Sequence, residues 1–194
     1  MGVFYFAFMK FIRKHWSNIL IVVVIILLTI PQTRTSVSVF VNKILASTPA
    51  EVAPQNQREV INYYWSLEDR YGARFNFETS KNKVVFINYW ATWCPPCIAE
   101  MPDLEELYQQ YNSQIDFYFI TNDEPLKVEA FMKKNNYNFP VYYSKSNVPE
   151  NLQSSALPTA YVLSKKGKIV FDKVGTANWN SDRFTTVLEK LVEE

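Results

Sequence analysis

The chain has 194 residues, with 20 Lys+Arg against 19 Asp+Glu, one histidine, two cysteines and four glycines, which suits one domain plus an appendage. From Arg58 onward 15 Lys+Arg stand against 18 Asp+Glu, a net charge near −3, so the chain carries no basic footprint for a nucleic acid. Gly2, Gly72, Gly167 and Gly175 lie far apart and none builds a phosphate-cradling loop, which sets nucleotide enzymes aside.

The N-terminus mixes an aromatic run, Phe4 to Phe8, with Lys10, Arg13, Lys14 and His15. Ile19 to Ile30 follows, almost continuously aliphatic and broken only by Thr29, with Pro31 as its expected end. This run is shorter than the ~20 residues that span a bilayer and also suits the apolar part of a signal peptide. Counting Trp16, Ser17 and Asn18 brings it nearer to a span. No small-x-small cleavage site directly follows Ile30, which favours an uncleaved signal anchor. The basic flank places the N-terminus inside and the domain outside. Ile19 to Leu28 has no polar face, which argues against a buried core helix. Val37 to Leu45 alternates and is expected to lie along the membrane or extend a stalk. Ala46 to Gln57 is small, polar and proline-containing, the composition of a linker from which the domain could swing. The expected organisation is an anchor and stalk over 1–45, a linker over 46–57 and a domain over 58–194.

Within the domain, Val60, Ile61, Tyr64, Trp65 and Leu67 predict a helix over Arg58 to Tyr71, closed by Gly72. Tyr63, Tyr64 and Trp65 then read as helix packing. Arg74 to Glu78 predicts an edge strand and Thr79 to Asn82 a polar turn. Val84 to Tyr89 is apolar, β-branched and aromatic, a buried strand. Met101, Leu104, Leu107, Tyr108 and Tyr111 recur at three- and four-residue spacing, one face of a helix. Between these two elements lies Trp90-Ala91-Thr92-Trp93-Cys94-Pro95-Pro96-Cys97, which holds both cysteines of the chain.

A cysteine pair at the start of a helix is suited to thiol–disulfide exchange. Unpaired backbone N–H groups and a positive dipole end stabilise a thiolate there. Cys94 is expected at the cap position, partly exposed and nucleophilic, and Cys97 one turn later can close a disulfide with it or attack a mixed disulfide. Pro95 and Pro96 fit the first turn, where a missing N–H costs nothing, and they restrict the loop. A zinc site needs about four ligands, and the only histidine is His15. As a purely structural staple the pair would close too small a loop to remove much unfolded-chain entropy.

Further along, Pro102 is expected to kink the helix, with Asp103, Glu105 and Glu106 as its wet face. Ile115 to Thr121 predicts a strand, and Asn122-Asp123-Glu124-Pro125 a helix start for Leu126 to Asn135. Strand, helix, strand predicts a parallel pair. Phe139 to Tyr143 is expected to be extended and Val148 to Ser155 a short helix. Thr159 to Leu163 and Lys168 to Phe171 flank a hairpin turn. Ser181 to Val192 closes the chain as an amphipathic helix.

Asn88 to Cys97 resembles the active-site segment of the thioredoxin superfamily, and most resembles its TlpA/ResA-like branch of membrane-tethered, extracytoplasmic thioredoxins. Ala156-Leu157-Pro158-Thr159 resembles that family's cis-proline loop. The resemblance covers about Lys83 to Glu194, with the segment from Arg58 as an N-terminal extension. It implies an α/β fold of the thioredoxin type, a mixed central sheet flanked by helices, here with an N-terminal transmembrane helix.

The resemblance also implies a function: Cys94 attacks a disulfide in an exported protein and Cys97 resolves the mixed disulfide. It implies substrate contacts at Leu157, Pro158 and Thr159, and Trp93, Pro95 and Pro96 are expected to shape the same surface. Trp90 is as well explained by packing. Asn88 stands where ordinary thioredoxins usually carry an acid. Glu100, three residues after Cys97, can approach the dithiol, as the branch often has it. It either tunes the cysteines and moves a proton or is a solvated first-turn carboxylate. No cofactor beyond the Cys94–Cys97 pair is implied. The implied partners are disulfide-containing exported proteins, apocytochrome c among them, and a membrane thiol-transfer protein of the CcdA or DsbD kind as electron donor. The competing readings are an oxidase or isomerase of the same fold, a peroxidase, whose cysteine would need another context, and a binding module indifferent to loss of Cys97.

Overall fold

The computed structural model describes residues 15–23, 25, 29 and 31–194. The basic and aromatic flank before residue 15, and much of the aliphatic run up to Ile30, lie outside the described residues. Among the described residues no helix is long and apolar enough to cross a membrane. Residues 15–23, 25 and 29 are helical and so is Pro31–Leu45, named α1, so helical residues stand on both sides of the proline expected to end the run. Helical turns therefore replace the alternation expected over Val37 to Leu45, and Val37, Phe40, Val41, Ile44 and Leu45 are exposed.

Among the described residues seven strands form one sheet in the order β2-β1-β5-β4-β3-β6-β7: β1 Ser66–Asp69, β2 Arg74–Asn76, β3 Val84–Tyr89, β4 Ile115–Ile120, β5 Val141–Ser144, β6 Thr159–Leu163 and β7 Ile169–Val174. The helices α2 (Pro95–Tyr111), α3 (Pro125–Asn135) and α4 (Asp182–Glu193) follow β3, β4 and β7. β3 pairs in parallel with β4 and antiparallel with β6, and β4 pairs in parallel with β5. The sheet is mixed, as expected.

β3 is buried on both faces, which is why its sequence is apolar without alternation. Val84 and Phe86 pack among residues of all three helices, including Met101, Leu104, Val128 and Phe184. Val85 and Ile87 pack on the opposite face against Trp65, Leu67 and Phe77.

That second face overturns the helix expected over Arg58 to Tyr71. Tyr63, Trp65 and Leu67 are buried while Tyr64 is exposed, the two-residue period of extended chain. Residues 66–69 pair antiparallel with both β2 and β5. Gly72 turns the β1–β2 hairpin at φ +85° rather than capping a helix. The preceding residues run beside the β6–β7 hairpin, where Val60 N–H donates to Gly167 O and Ile169 N–H to Arg58 O. Gly167 is needed there, since a Cβ would meet Tyr63 Oη at 2.6 Å.

Three smaller expectations also change. Ala46 to Gln57 does not swing freely: Ser47 bridges to Ala177, and Val52 N–H donates to Val170 O at 2.8 Å. Small polar residues let this strap lie close to the sheet and spend its backbone bonds on it. Glu105 is buried rather than wet, because its carboxylate accepts from the backbone N–H groups of Asn138 and Phe139 at 2.8 and 3.2 Å. The helix expected over Val148 to Ser155 is only a 3-10 turn at Glu150–Leu152. α2 continues through Pro102.

The extended course of residues 60–69 makes a sharp contrast between neighbours. Trp65→Ala empties a fully buried site and is expected to cost about 3–5 kcal/mol. Tyr64→Ala, at an exposed position, is expected to cost under about 0.5 kcal/mol. Urea unfolding of the two variants checks this; equal losses would contradict the packing described.

Candidate active site

β3 delivers the chain to the site. Its last residue, Tyr89, is registered against Thr159 at the start of β6, so the loop before β6 lies beside the loop leaving β3. Trp90 N–H donates to Ile120 O at 3.0 Å, and the Trp90 ring is buried against Phe131 and Phe139. Trp90 is packing; Trp93, three residues on, is 70% exposed.

Cys94 is the cap of α2. Its sulfur accepts from Cys97 N–H at 3.3 Å and its carbonyl from Ile98 N–H at 3.0 Å. Pro95 and Pro96 form the first turn. Cys94 and Cys97 are joined as a disulfide, Cα–Cα 5.2 Å. Cys94 was expected to be partly exposed; in this oxidised state it is 4% exposed. Its partner Cys97 is wholly buried.

The second loop brings Leu157 and Pro158 to the same end of the sheet, with a cis peptide between them. Leu157 is at the surface, whereas Pro158 and Thr159 are buried. Pro158 O accepts from Gly175 N–H at 2.9 Å. Thr159 Oγ1 donates to Ala156 O and accepts from Ser154 Oγ. Thr159 therefore spends its side chain on holding the loop and its backbone on the sheet, which leaves Leu157 as the member of the three that borders open space. A groove of about 530 Å³ runs between Trp93, Asp123, Val148, Ser154 and Leu157.

Glu100 lies one turn beyond Cys97 on α2 and is 1% exposed. It lies beyond the first turn of α2 and is not the solvated first-turn carboxylate that was one of the two expectations. Oε1 accepts from Asn88 Nδ2 at 2.9 Å; Oε2 accepts from Trp179 Nε1 at 3.1 Å and from Ala177 N–H at 3.3 Å. Burial pushes its pKa up to about 7, against the pull of these three donors. Asn88 is fully buried and its Oδ1 has no hydrogen-bond partner among the described residues.

Two contributors were not legible as site residues. Asp123, readable only as part of a helix start, accepts from Thr92 N–H, Thr92 Oγ1 and Trp93 Nε1. Its signal was its place: the carboxyl end of a strand parallel to the one feeding the cysteines, where α/β sheets gather their sites. Trp179 lies 79 residues from Glu100 in sequence, and no local pattern connects them.

The arrangement can perform dithiol chemistry: a capped cysteine, a buried partner and a carboxylate that titrates near neutrality. Among known proteins, the Redoxin family matches residues 49–188. The thiol-disulfide oxidoreductase ResA of Halalkalibacterium halodurans is 34% identical over 131 residues, 66% of this chain and 69% of that protein. The thioredoxin-like protein YneN of Bacillus subtilis is 32% identical over 116 residues, 58% of this chain and 68% of that protein. The crystal structure of a DsbF homologue from Corynebacterium diphtheriae superposes with a TM-score of 0.56 at 19% identity, covering 76% of this chain and 92% of that one; at that identity the likeness speaks for the fold. The alignment and the cysteine site agree: this chain belongs to the Redoxin family, beside its ResA thiol–disulfide oxidoreductases.

Proposed function

We propose that this protein is an extracytoplasmic, membrane-tethered thiol–disulfide oxidoreductase that reduces disulfides in exported proteins. The observation that carries the reading is the pairing of a helix-capping Cys94 with a buried Cys97 above a carboxylate of raised pKa. In the reduced protein the Cys94 thiolate attacks one sulfur of a client disulfide. A Cys94–client disulfide forms and the other client sulfur leaves as a thiolate. Cys97 then loses its proton and attacks Cys94, so the second client thiolate departs and the Cys94–Cys97 bond closes. Two electrons pass from the protein to the client, and two protons end on the client thiols.

Glu100 is the group that takes the Cys97 proton. A carboxylate titrating near neutrality is matched to that task at neutral pH. Asn88 suits both of its states: Nδ2 donates to the ionised Oε1, and a half-turn of the amide would offer Oδ1 to a protonated one.

Tethering is supported by the aliphatic Ile19 to Ile30 run behind a basic flank and by the exposure of Trp16, Leu20, Ile21 and Val22. On this reading residues 1–45 form anchor and stalk. An exported reductase must be recharged across the membrane, so a thiol-transfer protein of the CcdA or DsbD kind is the proposed donor. Apocytochrome c, whose haem-attachment cysteines must be reduced, is a proposed client.

The direction of exchange is tested by equilibrating the full chain, in detergent, with thiol redox buffers. A couple near about −270 mV is expected, whereas one near about −120 mV would make the protein an oxidase. Cys97→Ser is expected to abolish catalytic reduction of a peptide disulfide while still trapping the client on Cys94. Retained turnover would refute the two-cysteine mechanism and leave a binding role. For Glu100, the folded chain holds a proton up to about pH 7 that an unfolded glutamate releases at its ordinary value of 4.5. The folded state thus binds the extra proton between these values, and stability falls as pH rises through that window, by about 3 kcal/mol in all. In Glu100→Gln this fall is expected to vanish, and the resolving step to slow. Denaturant titrations from pH 4.5 to 7.5 and the two thiol pKa values check both; unchanged thiol pKa values would remove Glu100 from proton transfer.

A further inference from the structure

We propose that Asp123 is a positioning residue for client binding, holding the indole of Trp93 as a fixed wall of the groove beside Cys94. The inference rests on the oxidoreductase reading and concerns a residue outside the dithiol and its buried acid. Asp123 lies on the loop after β4. Its Oδ2 accepts from Thr92 N–H and Thr92 Oγ1, both at 2.7 Å, and its Oδ1 accepts from Trp93 Nε1 at 3.0 Å. Three donors from the two residues before Cys94 thus converge on one carboxylate. Asp123 is itself fixed, its N–H donating to the side chain of buried Thr121 at 3.2 Å.

Trp93 needs such a hold. At 70% exposed it has little packing to select a rotamer, and a free indole would sweep several positions across the mouth of the groove. Hydrogen bonds to an ionised acceptor are short and about twice as strong as neutral ones, so one carboxylate can set both the loop and the ring. The held ring shares the lining of the groove with Leu157, Tyr89 and Val148. With Gln153 and Ser154 in the same lining, this is a preformed groove of mixed apolar and polar character, suited to an uncharged side chain of an extended client segment. A wall already in place spares the client the cost of ordering it.

The test is a double-mutant cycle on the full chain in detergent, reading KM and kcat for reduction of a disulfide-bonded peptide. Asp123→Ala is expected to raise KM on the order of tenfold, with a smaller change in kcat, as lost preorganisation does. In a Trp93→Phe background the same change is expected to add less than about twofold, since the two residues act as one unit. Asp123→Asn, which keeps one acceptor oxygen, is expected to fall between wild type and Asp123→Ala. A change in melting temperature with KM unaltered would make Asp123 merely structural and overturn the proposal. An equal rise in KM with Trp93 present or replaced would overturn it too. A wild-type chain that does not reduce the peptide at all would instead count against the oxidoreductase reading.

Discussion

β3 is packed on both faces, and the site depends on that confinement. Its even-numbered residues face the helices and its odd-numbered ones the N-terminal extension, so the strand can neither slide nor rotate without exposing one set. Its end is therefore a fixed point. From it the chain leaves through Trp90, itself buried, into the cap of α2, and the same strand holds Thr159 in register at the head of β6. Cysteines and proline loop meet because both are attached to the ends of paired strands whose register is set by the core.

Confinement also explains the acid. Asn88 lies on β3 and Glu100 on the helix above it, so the carboxylate is trapped between strand and helix with water excluded. Three hydrogen-bond donors lower its pKa and desolvation raises it, and desolvation prevails. An amide at position 88 can donate to this group without adding a second negative charge. An acid there would face Glu100 across the same short distance, and one of the two would have to stay protonated.

The central strand, the capping cysteine, α2 and the terminal hairpin were legible because each is local: an apolar run, a cysteine before two prolines, a three-to-four periodicity, a turn. The misread helix at residues 58–71 shows the limit. Val60, Ile61, Tyr64 and Trp65 fit a helical face, but Tyr63, Trp65 and Leu67 fit a strand equally well, and only the presence of β5 and the open second face of β3 decides between them. Glu105 was lost for a similar reason. Its partners are backbone N–H groups on a loop more than thirty residues away, and a carboxylate bonded to backbone has no sequence signature. Glu100 was located by spacing, but its burial depends on Trp179 and Ala177, which no spacing rule reaches.

The strap over residues 46–57 gives the molecule a load path. Asn178 N–H donates to Ser47 O at 3.0 Å, and the residues on either side of Asn178 supply both donors to Glu100 Oε2. Tension applied along the N-terminal chain is shared between the packing of α1 on α2, where Lys43 Nζ lies 4.0 Å from Asp103 Oδ1, and Ser47, which passes it into the 177–179 turn. Through Ser47 a pull on the N-terminal chain thus reaches the acid by three covalent neighbours and two hydrogen bonds.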